Sequence, residues 1–315
     1  MKRPHRLLPV RLLPLLLAAV VGACSSAEDA TVGDNADTTA TADTGAAARG
    51  IALSGDFEGP LGLQLWSVRE QLAEDIPGTL QWVAQQGFRE VELAGTQGLT
   101  AEQFRQELDR AGLRASAMHV PYERLRDSME VVFAEAEALG APDIGVAWIP
   151  HEGSFTPELA RQTAQDFNRW GAAARERGLR FYYHNHGYEF EPAPDGTIPF
   201  DILMSETDPE SVFYEMDVFW TVHPGIDPVA LLQRYPGRWK LMHIKDMAQG
   251  TETGVFTGSA PAEAQVAVGT GQIEYTSVLA AAEEVGVEKF YIEDETTDPI
   301  NNIPRSIEYL ERITY

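Results

Sequence analysis

The segment GLRFYYH, residues 178–184, carries the pattern that decides the fold. A glycine that can end a helix is followed by a short apolar strand, which closes on a side chain able to bind a metal ion, His184. Related units recur along the chain: GFREVE (87–92), GLRASAMH (112–119), GRWKLMH (237–243) and GVEKFYIE (286–293). Because helices and strands alternate, these units predict a parallel sheet covered by helices.

Helix-start signals lie between these units. Thr100 and Gln103 form a capping-box pattern, and Thr156 followed by Pro157 is typical of a helix N-terminus. We predict an α/β fold, a (β/α)8 TIM barrel, with strands near 61–66, 89–93, 114–119, 143–149, 180–185, 212–217, 239–244 and 289–293. The main rival is an open doubly wound sheet, but no G-x-G-x-x-G turn follows the first strand.

Four of the strands end in side chains that commonly bind metals: His184, Asp217, His243 and Glu293. In a closed barrel the C-terminal ends of parallel strands meet at one mouth. Two imidazoles and two carboxylates can hold a divalent cation there, so the sequence predicts a metal-dependent enzyme. The alternative for any one of these residues is a polar group that ends a strand and meets water; Asp217 could also cap the next turn.

The N-terminal segment differs in composition from the rest. Residues 1–23 have a basic start and an apolar stretch too short to span a bilayer, and we interpret them as a lipoprotein signal peptide. VGAC (21–24) resembles a bacterial lipobox, which makes Cys24 the predicted lipidation site. An ordinary secretory leader with a chance cysteine is the weaker alternative.

Three segments follow from this interpretation. Residues 24–50 are the lipidated cysteine and a tether, expected to be disordered because it lacks large apolar residues, and residues 51–315 are the barrel. We expect the protein to be lipid-anchored in the cell envelope. Ser25, rather than Asp, follows the anchor, which by resemblance to known sorting rules favours the outer membrane, facing the periplasm.

The chain is strongly acidic. It has 24 basic and 48 acidic residues, and removal of residues 1–23 would leave 20 basic against 48 acidic, a net charge of −28. Such a charge repels phosphate backbones, so we expect no nucleic acid partner. Contact with a membrane is expected only through the lipid anchor.

Four motifs resemble the sugar phosphate isomerase/epimerase family of xylose isomerase-like barrels: YHNHGYEF (183–190), EMDVFW (215–220), HIKD (243–246) and YIED (291–294). The resemblance extends over residues 60–315. It implies a sugar isomerase or epimerase that acts through an enediolate at the barrel mouth. The implied cofactor is a divalent metal ion, Mn²⁺ in the first place, with Zn²⁺, Co²⁺ or Mg²⁺ as alternatives.

The resemblance also implies a ligand set. In such epimerases the metal is held by Glu, Asp, His and Glu from strands five to eight, and Asp217, His243 and Glu293 match the last three positions. His184 stands where the family often has Glu. Two ligand glutamates form the proton-transfer pair of ketose epimerases, so His184 removes half of that relay. A lyase, dehydratase or hydrolase acting on a keto-sugar or 3-keto-glycoside is therefore the alternative.

Further residues near the strand ends are candidates for the active site. The catalytic candidates are His119, His186, Lys245 and Glu293, and the substrate-binding candidates are Glu92, Trp66, Trp220 and Tyr188. His186 is alternatively a structural histidine, Lys245 a partner of Asp246 only, and Glu92 a surface or helix-capping residue. Most large aromatic side chains of a barrel belong to its core.

Two other classes of function remain open. A non-catalytic sugar-binding lipoprotein could use the same barrel, although such a protein would not need a bound cation. A nuclease of the deoxyribose-repair type is remote, because those enzymes carry a basic groove and this chain is acidic.

Overall fold

The structure is a computed structural model and describes residues 51 and 53–315. The predictions for residues 1–23, Cys24 and 24–50 lie outside the described residues. The strands are β1 (Leu61–Gln64), β2 (Glu90–Leu93), β3 (Arg114–His119), β4 (Asp143–Val146), β5 (Arg180–His184), β6 (Val212–Asp217), β7 (Trp239–Ile244), β8 (Asp246–Met247), β9 (Gln265–Val266) and β10 (Lys289–Ile292).

Eight of these strands form a closed parallel barrel in the order β1-β10-β7-β6-β5-β4-β3-β2. Closure occurs where β1 pairs with both β2 and β10. The predicted TIM barrel is therefore confirmed. β8 and β9 form a separate antiparallel pair at the base of the long connection that follows β7.

Helices alternate with the barrel strands, as the repeated sequence units predict. They are α1 (Arg69–Glu74), α2 (Ile76–Gln85), α3 (Ala101–Ala111), α4 (Tyr122–Leu139), α5 (Pro157–Glu176), α6 (Pro199–Glu206), α7 (Val218–Val222), α8 (Pro228–Arg234), α9 (Tyr275–Val285) and α10 (Pro299–Leu310). Within the described part of the chain, none of the helices combines the length and apolar character needed to cross a membrane.

The helix-capping patterns predicted from the sequence are formed in the structure. The hydroxyl of Thr100 accepts a hydrogen bond from the Gln103 N–H, and the Gln103 side chain accepts one from the Thr100 N–H, so the capping box is formed. Thr156 caps α5 in the same way, by accepting from the Leu159 N–H at 3.2 Å. α3 ends at Gly112, whose φ of 72° lies in the left-handed region that favours glycine.

The core has two parts. The larger cluster lies between the strands and the surrounding helices and includes Leu63, Phe104, Phe167 and Leu279. A small cluster of Ala117, Tyr182, Leu241 and Tyr291 fills the barrel interior. Such a filled interior leaves the C-terminal mouth as the place where polar side chains gather.

Two predicted strands end two or three residues earlier than expected, and this moves two tryptophans off the sheet. β1 stops at Gln64, whose side chain accepts a hydrogen bond from the Trp66 N–H at 3.0 Å and starts a 3₁₀ helix. β4 stops at Val146; further on, the Ile149 N–H donates to the Tyr188 hydroxyl rather than to a strand. Trp66 and Trp148 therefore lie on the connections around the mouth.

Candidate metal centre at the barrel mouth

The C-terminal ends of four neighbouring strands place their polar side chains close together. Asp217, the last residue of β6, is paired in register with His243 of β7, and His184 is the last residue of β5. Glu293 directly follows β10, and its N–H donates to the carbonyl oxygen of Ile244 at 3.3 Å. The structure thus brings the four predicted metal ligands to the same mouth, where all four side chains are nearly or fully buried.

Three short distances link ligand atoms of these four side chains. Asp217 Oδ2 lies 3.7 Å from His184 Nε2 and 3.9 Å from His243 Nδ1, and His243 Nδ1 lies 3.1 Å from Glu293 Oε2. Ligand atoms held about 2.1 Å from a tetrahedral cation lie about 3.4 Å apart. The observed separations bracket that distance.

A second observation shows that the cluster fits a cation. Among the described residues, buried Asp217 Oδ2 has no hydrogen-bond partner, although an unpaired buried carboxylate oxygen is costly. The ligand atoms of Asp217, His243 and Glu293 also lie within 4.8 Å of one another. This buried group of His and carboxylate side chains could therefore bind a metal ion.

Glu215 contacts both candidate ligand histidines, and sequence reasoning missed it. Its Oε2 lies 2.9 Å from His184 Nδ1, 3.3 Å from His243 Nε2 and 2.9 Å from His119 Nε2. The opposite ring nitrogens of His184 and His243 are thereby directed at Asp217, as expected for carboxylates behind metal-binding histidines. Its signal was its position two residues before Asp217, on the same face of β6.

Glu215 and the three histidines are also close enough together to hold an ion. The second group consists of Asp217, His243 and Glu293, and it contains three of the four predicted ligands. We therefore take the side of Asp217 and Glu293 as the candidate metal centre.

Glu92 lies beneath the cluster. Its carboxylate is fully buried, accepts a hydrogen bond from the Tyr182 hydroxyl, and lies 2.6 Å from Gln64 Nε2 and 2.5 Å from His243 Nε2. The structure therefore places Glu92, predicted as a substrate contact, as a supporting partner of His243. Gln64, which also lies 3.4 Å from His119 Nδ1, was not predicted from the sequence.

Lys245 is buried beside the candidate centre. Its Nζ donates to Glu293 Oε2 at 3.1 Å and to Glu295, and it lies 3.8 Å from Asp217 Oδ2. Burial opposes the charged form of Lys245, but the neighbouring carboxylates outweigh it and raise its pKa. Lys245 is therefore an ammonium ion that positions Glu293, whereas the predicted alternative partner Asp246 binds the backbone N–H groups of Gly269 and Gly271.

Burial and neighbouring charges shift the pKa values of the cluster in opposite directions. Burial, reinforced by the charge of His243, lowers the pKa of His184 to about 3, which leaves a neutral ring able to bind a metal. Burial raises the pKa of Asp217 to about 7, against the opposing charge of Lys245. For His119, burial favours the neutral ring, but Glu92 and Glu215 outweigh it and raise the pKa.

A cavity of about 1050 Å³ opens onto the cluster. The predicted site residues that line it are Trp66, His119, His184, His186 and Glu293. His186 lies inside the mouth, with its ring centroid 5.0 Å from that of His184 and its face stacked on Trp220. Its Nδ1 has no hydrogen-bond partner within the described residues.

The remaining two aromatic candidates support the wall of the cavity. Trp220 is buried behind His186, and the Nζ of Lys245 lies 5.4 Å from the centroid of its ring. Tyr188 is buried too; its hydroxyl accepts a hydrogen bond from the Ile149 N–H at 2.9 Å and lies 3.1 Å from the Tyr183 hydroxyl. Both side chains therefore pack behind residues that face the cavity.

Comparison with known proteins agrees with this architecture. The sequence model of the xylose isomerase-like TIM barrel family matches residues 80–313, which is more than half of the chain. The chain belongs to this family. The expected resemblance to sugar phosphate isomerases/epimerases is thereby confirmed, since solved structures carrying that description are similar to it.

Two solved structures show the same fold in proteins with different descriptions. A sugar phosphate isomerase/epimerase from Parabacteroides distasonis has a TM-score of 0.66 and 25% identity, covering 83% of this chain and 96% of that one. The IolI protein with a bound zinc atom has a TM-score of 0.60 and 13% identity, covering 80% and 95%, and shows the shared fold alone.

The curated relative is an inosose dehydratase from Lacticaseibacillus casei. It is 29% identical over 170 residues, which cover 49% of this chain and 52% of the relative. The chain thus spans about half the length of the curated relatives it matches.

Proposed function

We propose that this protein is a divalent-metal-dependent enzyme that acts on a sugar with a carbonyl group. It removes a proton from the carbon beside the carbonyl and expels a leaving group from the next carbon, as a dehydratase or lyase does. The candidate ligands lie on four neighbouring strands, in the order β10, β7, β6 and β5. The observation that carries the proposal is that the two outer strands carry different side chains: Glu293 follows β10, whereas His184 ends β5. A symmetrical pair of carboxylates would instead favour epimerisation.

The ligand residues fix where the carbonyl would bind. His184, Asp217, His243 and Glu293 would hold the cation, and Glu215 keeps the two imidazoles turned toward it. When bound, a divalent cation polarises a carbonyl oxygen and stabilises the negative charge that develops there on proton loss. Lys245 holds Glu293 through its 3.1 Å hydrogen bond.

His186 is the residue we assign to proton transfer. It faces the cavity next to His184, and its Nδ1 is unpartnered in the described part of the chain. It takes the proton from carbon, the electron pair of the C–H bond forms a C=C bond, and the C–O bond to the leaving group breaks. The same imidazolium can return the proton to the departing oxygen. His119 is less able to take a proton from the substrate, because both its ring nitrogens have partners: Nε2 lies 2.9 Å from Glu215 and Nδ1 lies 3.4 Å from Gln64.

The inosose dehydratase relatives support elimination chemistry. The second candidate is isomerisation or epimerisation of a sugar, favoured by the similarity to the sugar phosphate isomerase/epimerase from Parabacteroides distasonis. In that case Glu293 would serve as the proton-transfer group on its side of the substrate.

The test compares three substrates with the metal-loaded protein in D₂O, followed by NMR: a 3-keto-glucoside, an unoxidised glucoside and a ketose phosphate. We expect loss of the leaving group and formation of an enone from the 3-keto-glucoside alone. His186→Gln should reduce this rate at least about 100-fold, the usual size of a proton-transfer contribution. His151→Gln is the matched control, since His151 is a half-buried histidine of the mouth that does not line the cavity.

Two results would contradict the proposal. One is deuterium incorporation without loss of the leaving group, which would indicate epimerisation. The other is much faster isomerisation of the ketose phosphate than elimination from the keto-glucoside.

A further inference from the structure

The cavity at the mouth is larger than a site for one sugar ring requires. Its volume of about 1050 Å³ lies just above the range of about 300–1,000 Å³ that is usual for sites that bury drug-sized ligands. The inner part is formed by the histidines and Glu293. The outer part runs away from the cluster, between the connection after β2 and the helix α4.

The outer part is lined by apolar as well as charged side chains. Its apolar lining consists of Leu99, Val120, Ala134 and Leu139, together with Val131 of α4. Val120 and Leu139 are buried, but Leu99 is half-buried and Val131 and Ala134 are exposed, so a sugar ring alone would leave these three facing water.

Exposed apolar side chains are concentrated on this cavity. In the part of the chain that the structure describes, the large hydrophobic residues with substantial exposure are Trp66, Val131, Trp148 and Tyr315, at 44%, 54%, 43% and 42%. The first three line the cavity. Clustered exposed apolar surface marks a binding site, whereas scattered single residues do not.

The charges around the outer part disfavour an anionic ligand. Its cationic side chain, Arg124, is already held by Glu135 through two hydrogen bonds of 2.9 Å. Glu102 and Glu123 also line the cavity, and Glu295 stands at its inner end. Among the described residues that line the cavity, a phosphate group would meet carboxylates and no unpaired guanidinium or ammonium group.

We propose that the substrate is a glycoside whose sugar lies at the metal cluster and whose aromatic aglycone lies in the outer groove against Val131. This rests on the proposed function. Trp66 and Trp148 stand at the rim and offer flat apolar faces to such a ligand. The aglycone would be the group expelled from the sugar.

Binding is measured by calorimetry on the full chain with metal bound, using phenyl and methyl β-glucoside as probes. We expect the phenyl compound to bind at least about tenfold more tightly, since its ring buries more apolar area. Val131→Glu should abolish that preference. Ala172→Glu is the matched control, because it adds the same charge at an exposed position of α5 outside the cavity.

Equal binding of the two glycosides, or a preference that survives in Val131→Glu, would overturn the groove assignment. Elimination activity is assayed in parallel on the 3-keto forms of both glycosides. A phenyl preference that disappears in Val131→Glu supports the groove even if neither 3-keto form is turned over, and such a result would refute only the proposed reaction.

Discussion

At the level of single residues, Asp217 and His243 are the candidate ligands whose replacement tests the metal centre most directly. Asp217→Asn or His243→Gln should lower the affinity for Mn²⁺ or Zn²⁺ by at least about 100-fold, because even supporting residues behind ligands are worth 10–100-fold. The fold should survive, since the barrel core lies below the mouth. Metal content measured on purified variants, with His151→Gln as the control, checks this prediction. Full metal content in Asp217→Asn would exclude the assigned centre.

Replacing His184 distinguishes two roles for this residue, metal ligand and acid/base group. If it is a ligand, His184→Ala should weaken metal binding as strongly as Asp217→Asn does. Its Nε2 lies 3.7 Å from Asp217 Oδ2, which is compatible with two atoms on one cation. Undiminished metal content with lost activity would instead make His184 an acid/base group, and another residue would complete the ligand set.

Glu189 is a buried carboxyl group outside the cluster whose titration should affect stability. Its Oε1 accepts hydrogen bonds from the His186 N–H and the Tyr183 hydroxyl, while Oε2 is unpartnered within the described residues. Burial raises its pKa to about 7, against these hydrogen bonds. A raised pKa means that the folded state favours the protonated form, so the contribution of Glu189 to stability is lost as pH rises from about 4.5 to 7.

Glu189→Gln should therefore remove this pH dependence. We expect the free energy of unfolding of the variant, relative to the wild type, to rise by about 2 kcal/mol between pH 5 and pH 8. Urea unfolding at the two pH values measures that difference, and other titrating groups cancel in it. If the difference in the free energy of unfolding between the two proteins were the same at both pH values, folding would not raise the pKa of Glu189.

At the level of strands, β4 depends on a residue without a side chain. A Cβ atom at Gly145 would overlap the ring of Tyr182 on the neighbouring strand β5. Gly145→Ala should therefore destabilise the protein by about 1–3 kcal/mol, the usual cost of overpacking a core. Denaturant unfolding measures this cost. In a Tyr182→Leu background the same change should cost clearly less, whereas an equal cost in both backgrounds would contradict the packing argument.

Strand ends could be predicted from the sequence because they combine two independent signals. The apolar run before Asp217 or His243 indicates a buried strand, and the polar residue that closes it lies at the mouth by the geometry of parallel barrels. β3, β6 and β7 accordingly have the predicted bounds. The ends of β1 and β4 could not be predicted, since they depend on hydrogen bonds to side chains, such as that from the Ile149 N–H to Tyr188.

The residues that support the candidate ligands were harder to predict, because their partners also come from other parts of the chain. Glu215 and Gln64 lie inside or at the end of apolar runs, where one polar residue has no distinguishing signal by itself. Their roles depend on partners from distant strands, such as His119 and His184 for Glu215. A single sequence does not reveal such pairings.

For the whole molecule, the acidic composition and the groove agree on the kind of substrate. The chain carries a formal net charge of −24, and the outer groove offers a ligand acidic and apolar side chains. Both features disfavour phosphorylated ligands, because like charges repel across the cavity. Both features therefore support the proposed uncharged glycoside as the substrate.

The attachment of the whole molecule to a membrane is a proposal that rests on the sequence. We propose that Cys24, the single cysteine of the chain, carries the lipid. Cys24→Ala should abolish metabolic labelling with a fatty acid and release the protein from the membrane fraction. The elimination rate per bound metal should not change, because the site is built from residues of the barrel. Membrane association that persists in Cys24→Ala would refute the lipid anchor, and Cys24→Ser is the conservative control that should behave like Cys24→Ala.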